Sequence, residues 1–427
     1  MKQSNYNIIV KNENIYLIYN TLSTQYVAMS PKSYANFSNE LTLNIDELKQ
    51  FGLVINNDED EISKVKEKHY AFKNNRLLDL VIIPTLNCNF CCSYCYEQHI
   101  ASKIDKTILV ALKNYLENII NEYDIVNISW FGGEPLLQMD KLCSFNREMS
   151  QSFLAKKKAF FASVVTNGYL MDEINFDKLY RSRVRSIMVT IDGIESDHNQ
   201  RRPLKGNLPT FNKIIQNLIN IKKHDGLFSI LIRMNIDQDN IKNIDHFIDE
   251  MYNLFGDDDR FDMLLYMTCD WGQKNDILKQ NSKLINTNDL IYETISKHSH
   301  QFKFEQNFRS IENLNCKFFK RNSYVINYNG DILKCTINLE NPDLLIGKLN
   351  SGNNIEFNEN KNKIDKTTCF ENEECWYCKM LPICNGVRCL DKQNKNQNKC
   401  AFTIEKLKKI LITKYNCNKS SFKYIGE

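Results

Sequence analysis

Apolar residues along this 427-residue chain follow two different periods. Between Leu77 and about Cys269, short apolar runs of strand length recur: LLDLVIIPTL, VNISWF, FFASVVT, SIMVTI, SILIRMNI and FDMLLYMT. Between several of them the spacing becomes helical, with Ile108, Leu112, Tyr115, Leu116 and Ile119 on one face and Phe211, Ile214, Ile215, Leu218 and Ile221 on another. Six strands alternating with helices predict a parallel sheet, either a partial barrel or an open doubly wound sheet.

Residues 1–72 read as a separate small α+β module. NIIVKNENIYLIYN and QYVAMS carry strand-like apolar residues broken by polar turns, SPKSYANFSN opens with a helix-start signal, and IDELKQFGLVIN reads as a helix turning into a strand. The charged stretch DEDEISKVKEKH reads as a link to the next domain. Near the other end, FTIEKLKKILITKY has the spacing of an amphipathic helix packed on its own domain. A chain this long exceeds what one core supports, and the expected division is 1–72, 73–300 and 301–427.

Composition narrows the function classes. With 42% hydrophobic and 25% charged residues the chain has an ordinary globular balance. A net charge of +3 from interspersed acids and bases suggests no nucleic-acid partner. The start, MKQSNYNIIVKNENIYL, lacks the apolar core and cleavage site of a signal peptide, and no run reaches a membrane span. A cytoplasmic location without membrane attachment is therefore expected. In a reducing compartment fifteen cysteines read as metal ligands rather than disulfides, and nine of them lie between Cys316 and Cys417.

Cys88, Cys92 and Cys95, in CNFCCSYCYE, directly follow the first apolar run. The C-x3-C-x2-C spacing places three thiolates on one loop. A [4Fe–4S] cluster normally takes four cysteines, so three leave one iron open; a zinc knuckle is the alternative. Gly132-Gly133-Glu134-Pro135, Thr166-Asn167-Gly168 and Thr190-Ile191-Asp192-Gly193 follow strands two, three and four. All four segments thus fall on the carboxyl edge of the sheet, where ligands bind in barrels and open sheets alike. Paired glycines let backbone approach a ligand closely, and the Glu134 carboxylate beside them can bind an ammonium group.

Together these motifs resemble those of radical S-adenosylmethionine (radical SAM) enzymes. The resemblance implies a partial (β/α)6 barrel and an open iron chelated by the amino and carboxylate groups of SAM, which is cleaved to a 5′-deoxyadenosyl radical. It implies that Tyr94 packs near the adenine, that Gly132, Gly133, Glu134 and Pro135 hold the methionine amino group, and that Thr166, Asn167, Thr190 and Asp192 contact ribose and methionine portions. HNQRRPLKG is similar to the family's H-x-x-x-R pattern, which offers Arg202 or its neighbour Arg201 to the SAM carboxylate; Arg233 on strand five is a further candidate.

Downstream, Cys316 is followed by thirteen residues and Gly330-x4-Cys335, then by Cys375-x2-Cys378-x5-Cys384-x4-Cys389 and, ten residues on, Cys400. This order resembles the SPASM domain, a cysteine-rich radical SAM extension that binds two auxiliary [4Fe–4S] clusters, for three clusters in all. The resemblance assigns Cys316, Cys335 and Cys389 to the first and Cys375, Cys378, Cys384 and Cys400 to the second. Cys389 departs from the family, which usually has x3 before it, and the fourth ligand of the first cluster is Cys269, Cys369 or an open site. Two structural zincs are the other account of this field. Cys91, Cys143 and Cys417 fit no cluster.

The N-terminal order resembles the peptide-recognition elements of peptide-modifying radical SAM enzymes, with a structural cap as the alternative. The implied activity is maturation of a ribosomal precursor peptide by an oxidative side-chain crosslink (thioether, carbon–carbon or ether). SAM is the cofactor, and an electron donor such as ferredoxin or flavodoxin is a second partner. A sulfatase maturase is the rival enzyme, but there an aspartate directly follows the second SPASM cysteine, and here Thr336 follows Cys335. A non-catalytic metal-binding peptide scaffold is the rival of another class.

Overall fold

In this computed structural model, which describes residues 1–39, 44–268, 287–312, 316–350, 352, 354–366, 370, 373–384 and 403–425, the first apolar runs become strands. They are β1 (Lys2–Gln3), β2 (Asn7–Asn12), β3 (Ile15–Asn20) and β4 (Gln25–Met29), followed by helices Pro31–Asn39 and Ile45–Gln50 and by β5 (Val54–Ile55). β2, β3 and β4 form an antiparallel meander, with Ile9 opposite Ile18 and Ile18 opposite Val27. One face of it buries Ile18, Val27 and Met29 against Phe37 and Leu48 from the two helices.

DEDEISKVKEKH is not a linker: from Glu61 onward it belongs to the helix Glu61–Lys73. Asp60 caps this helix by accepting from the Ile62 and Ser63 amides, and Val65, His69 and Lys73 recur every four residues as a buried stripe. Apart from buried Glu61 and Lys73, the charges occupy the remaining faces, so the segment reads as a linker by composition while its spacing is helical. Val65 packs with Tyr6 and with Leu381, far along the chain.

The six strand-length runs form β6 (Leu77–Ile82), β7 (Ile125–Trp130), β8 (Ala159–Thr166), β9 (Val184–Thr190), β10 (Ser229–Ile236) and β11 (Phe261–Met267). Each pairs in parallel with its sequence neighbour. Helices Lys106–Ile119, Met139–Ala155, Glu173–Arg181, Phe211–Lys222 and Ile244–Phe255 supply the crossovers. Phe211, Ile214, Ile215, Leu218 and Ile221 are all buried, as the helical spacing predicts. In Lys106–Ile119 the buried stripe is Leu109, Leu112 and Leu116, whereas Ile108, Tyr115 and Ile119 are half-buried.

Those half-buried positions have a second neighbour that the alternation does not announce. Beyond β6 the sheet continues with β12 (Ser323–Ile326), parallel to β6, and then with antiparallel β13 (Asp331–Leu333), β14 (Leu345–Leu349) and β15 (Ile355–Phe357). A Cβ on Gly330, in the β12–β13 turn, would lie 3.8 Å from Ile108. The result is an α/β protein with a parallel-rich ten-stranded sheet that ends at β11 and β15.

Chain order and spatial grouping are different divisions of this molecule. One unit comprises Met1–Asn74, Asn288–Phe319 and Thr367–Glu427, the other Asn75–Thr287 and Lys320–Lys366. In the first unit β16 (Lys423–Ile425) joins β4 in parallel, and helix Ile404–Cys417 packs on β2 and β3. That amphipathic helix therefore covers the N-terminal meander rather than a separate C-terminal domain. No helix among the described residues is long and apolar enough to cross a membrane.

Candidate functional site

The carboxyl ends of the parallel strands surround an open cavity. Cys88, Cys92, Tyr94 and Cys95 line it after β6, Gly132 and Gly133 after β7, and Thr166 and Asn167 at the end of β8. Thr190 closes β9, Arg233 and Asn235 point from alternate positions of β10, and Arg202 comes from the segment after β9. The expected site residues Glu134, Pro135 and Asp192 lie behind this wall.

The cysteine loop is shaped by bonds to other segments. The Cys91 amide donates to the Pro203 carbonyl at 2.9 Å, Ser93 to Arg201 at 3.0 Å, and Lys205 back to Asn89 at 2.9 Å. Gly132 and Gly133 allow the turn after β7 to press against this loop. Gly132 has φ +116°, and a Cβ there would sit 2.7 Å from the Thr85 carbonyl oxygen; at Gly133 it would sit 2.3 Å from that of Asn87. Glu134 fixes the same contact from behind: its amide donates to Asn87, and its carboxylate accepts from Leu136 N–H, Thr166 Oγ1 and Asn167 N–H at 2.8–3.0 Å. The carboxylate thus couples the GGEP turn to the TNG segment, and the two glycines are what reach the cavity.

Burial pushes the Cys88 and Cys95 thiols up to about 12 and raises Cys92 as well. Three thiolates are therefore disfavoured here until a cationic group compensates them, which is what a metal centre does. Asn167 Nδ2 stands 4.0 Å and the Phe90 amide 3.4 Å from Cys88 Sγ, positions from which both orient and tune a ligating sulfur. Among the described residues, no three His, Cys, Asp or Glu side chains converge tightly enough to hold one metal ion. Ligands of a [4Fe–4S] cluster reach separate irons and need only line one cavity, so the triplet fits that group.

The two adjacent arginines are separated by the fold. Arg201 is buried in an ion pair with Asp237 and donates to the Asn235 carbonyl at 3.3 Å. Arg202 reaches the cavity, where Nη1 donates to the Tyr94 hydroxyl and lies 3.8 Å from Asp192. Tyr94 in turn donates to Asp192, which is fully buried, and accepts from Asn235 Nδ2 at 3.0 Å. Asp192 also accepts from the Asn235 amide at 2.9 Å. Its own amide donates to His198 Nδ1 at 3.1 Å, and His198 Nε2 donates to Thr210, whose hydroxyl is given to the Arg202 carbonyl. His198 and Arg202 of the H-x-x-x-R pattern therefore act together: the histidine holds the backbone that aims the arginine. Burial, with Arg202 and Arg201 nearby, keeps His198 neutral well below the usual range.

Several cavity residues escape the sequence reading, His99, Asn235 and Glu97 among them. His99 Nε2 lies 3.4 Å from Cys95 Sγ. Asn235 is signalled only by its place two residues after Arg233. Glu97, two residues after Cys95, carries a buried carboxylate that burial pushes up to about 7.

The downstream cysteines are distributed between the units. Cys316 is exposed and belongs to the first unit, whereas Cys335 belongs to the second. Cys375, Cys378 and Cys384 share one segment of the first unit, on helices Glu373–Trp376 and Leu381–Cys384 and the turn between them. Cys269, Cys369, Cys389 and Cys400 lie outside the described residues. Cys143 is buried, Cys91 exposed and Cys417 half-buried.

Residues 82–251 match the model of the Radical SAM superfamily. A cysteine-type anaerobic sulfatase-maturating enzyme of Clostridium novyi (strain NT) is 27% identical over 203 residues, 45% of this chain and 51% of that protein. A serine-type anaerobic sulfatase-maturating enzyme of Bacteroides thetaiotaomicron is 25% identical over 144 residues, 32% of this chain and 34% of that protein. The chain thus spans about half the length, or less, of these curated relatives. Among solved structures, anSMEcpe with bound AdoMet and the Cp18Cys peptide has a TM-score of 0.57 at 18% identity, covering 79% of this chain and 97% of that one. Streptococcus suis SuiB bound to precursor peptide SuiA has a TM-score of 0.53 at 14% identity, covering 93% and 97%. Residues 82–251 are thus similar to the Radical SAM superfamily, and the chain shares the α/β fold of these structures.

Proposed function

We propose that this chain is a radical SAM/SPASM peptide maturase that installs an oxidative side-chain crosslink in a ribosomal precursor peptide. The observation that carries the reading is the meeting of Cys88, Cys92, Cys95 and the Arg202 guanidinium in one cavity at the carboxyl edge of a parallel sheet. When bound, a reduced [4Fe–4S] cluster with SAM would supply hydrogen-atom abstraction from the peptide, and auxiliary clusters would supply electron acceptance.

The protein's part is placement. Cys88, Cys92 and Cys95 hold the cluster, and Asn167 and the Phe90 amide orient Cys88. Arg202 offers a cation to the SAM carboxylate, aimed by Tyr94 and Asp192, while the Gly132–Gly133 backbone leaves room for the methionine amino group. Thr166 and Thr190 present hydroxyls at neighbouring strand ends. Cys316, Cys335 and Cys389, with Cys375, Cys378, Cys384 and Cys400, hold two auxiliary clusters, and a cytoplasmic ferredoxin or flavodoxin supplies the electron. The fold shared with SuiB, which was solved bound to its precursor peptide SuiA, favours this reading.

The relatives that mature sulfatases favour formylglycine formation as a second reading; Thr336, where those enzymes place an aspartate, weighs against it. Anaerobically reconstituted protein should contain about twelve irons and release 5′-deoxyadenosine with reductant. Changing Cys88, Cys92 and Cys95 to alanine should remove about four irons and abolish the release. A crosslinked product from a precursor peptide supports the maturase, and formylglycine on a sulfatase peptide supports the rival. A fully loaded protein that cleaves no SAM leaves only the scaffold.

A further inference from the structure

Beside the cysteine cavity, in the same unit, lies a second pocket walled by Leu86, Tyr96, Glu97, Ile337 and Leu339. Tyr96 and Glu97 line both spaces, so this pocket adjoins the place where the proposed chemistry occurs. Its apolar side is firmly backed. Leu86 and Leu339 rest on the buried cluster of Val81, Ile83, Val325 and Leu333, at the junction of β6, β12 and β13.

Its polar side is incomplete. Glu97 Oε1 is shielded from solvent and has no hydrogen-bond partner among the described residues. A buried carboxylate oxygen left this way is costly, and a donor brought by a ligand would remove the cost. Glu340 lies at the exposed rim, and Thr336 and Asn338 add neutral polar groups. A pocket with apolar walls and a carboxylate in its lining matches a side chain with an apolar stem and a cationic tip.

We propose that this pocket binds a lysine or arginine side chain of the substrate peptide, with its stem along Leu86, Ile337 and Leu339 and its cationic head on Glu97. The inference rests on the peptide-modifying reading and deepens it: a basic residue of the substrate is anchored next to the residue that reacts. Glu97 is here a positioning residue, not a catalytic one.

The test is ligand-observed NMR on SAM-loaded holoenzyme, with Nα-acetyl-lysine methylamide and Nα-acetyl-norleucine methylamide as probes. The lysine probe should bind at least about tenfold more tightly. Glu97→Gln should lower it to the norleucine level, and so should Leu339→Lys, which puts the chain's own cation into the pocket. Equal affinity of the two probes for the unmodified protein overturns the proposal, as does a lysine preference that survives both substitutions. The unmodified protein is itself a sufficient arm if either variant misfolds. SAM cleavage is measured on the same sample: cleavage without cation preference overturns the pocket alone, and preference without cleavage overturns the enzymatic reading alone.

Discussion

In the loop that carries Cys88, Cys92 and Cys95, backbone amides reach across to the Pro203 and Arg201 carbonyls, whereas around Cys375, Cys378 and Cys384 they turn back on near neighbours. Cys378 donates to Cys375 at 3.1 Å, Leu381 to Cys378 at 3.0 Å, and Cys384 to Met380 at 2.9 Å. This second segment has tertiary ties, from Lys379 Nζ to the Asn7 carbonyl and from Thr21 Oγ1 to the Lys379 carbonyl, but its helices are four residues long. Helices that short are not stable by themselves. Under the proposed function, the barrel loop is therefore shaped by the protein before its cluster binds, while the downstream segment takes its order with its cluster.

Iron removal should break the symmetry between the two most strongly. Chelation should leave the Cys91 and Ser93 amides protected from hydrogen exchange, and raise exchange at Cys378 and Leu381 by about a hundredfold or more, equivalent to about 3 kcal/mol. Equal loss of protection in both segments would remove the distinction. A smaller effect acts on the barrel loop alone: Gly133→Ala drives a Cβ into the Asn87 carbonyl and should cost about 1–3 kcal/mol. It should lower the iron content by up to four per chain, without changing exchange at Cys378.

The smallest effect is acid sensitivity. In the unfolded chain a histidine protonates near about 6.5, but folded His198 resists protonation until well below that. Between those values the unfolded state binds the extra proton, so the stabilising contribution is complete above about 6.5 and shrinks as pH falls. The slope approaches about 1.4 kcal/mol per pH unit. Urea midpoints from about pH 7.5 to 5 should show this decline, and His198→Gln should flatten it. An unchanged slope in the variant would assign the acid sensitivity to other groups.

Much of the barrel was legible because its signals are local. Each of the six runs becomes a strand, since apolar residues of strand length between helical patterns have few other uses. The motif positions follow from those strands, because a segment after a parallel strand must lie at its carboxyl end. The division between Arg201 and Arg202 was not legible: consecutive residues point in different directions only once the helix Glu195–Arg201 ends and Asp237 is in place. Nor was the role of Glu134, whose partners Thr166 and Asn167 arrive from another strand. Ile108 and Val65 mislead for the same reason, since Gly330 and Leu381 lie hundreds of residues away in the chain.

By itself the sequence determined the strand and helix order, the cysteine spacing and the sheet edge on which the chemistry gathers, because periodicity and turn residues act over a few positions. Tertiary structure alone decided which charges face the cavity, which are spent on one another, and that an unpartnered carboxylate at Glu97 stands between two pockets. Burial and charge pairing depend on segments that meet only after folding, and a single position carries no record of its future neighbours.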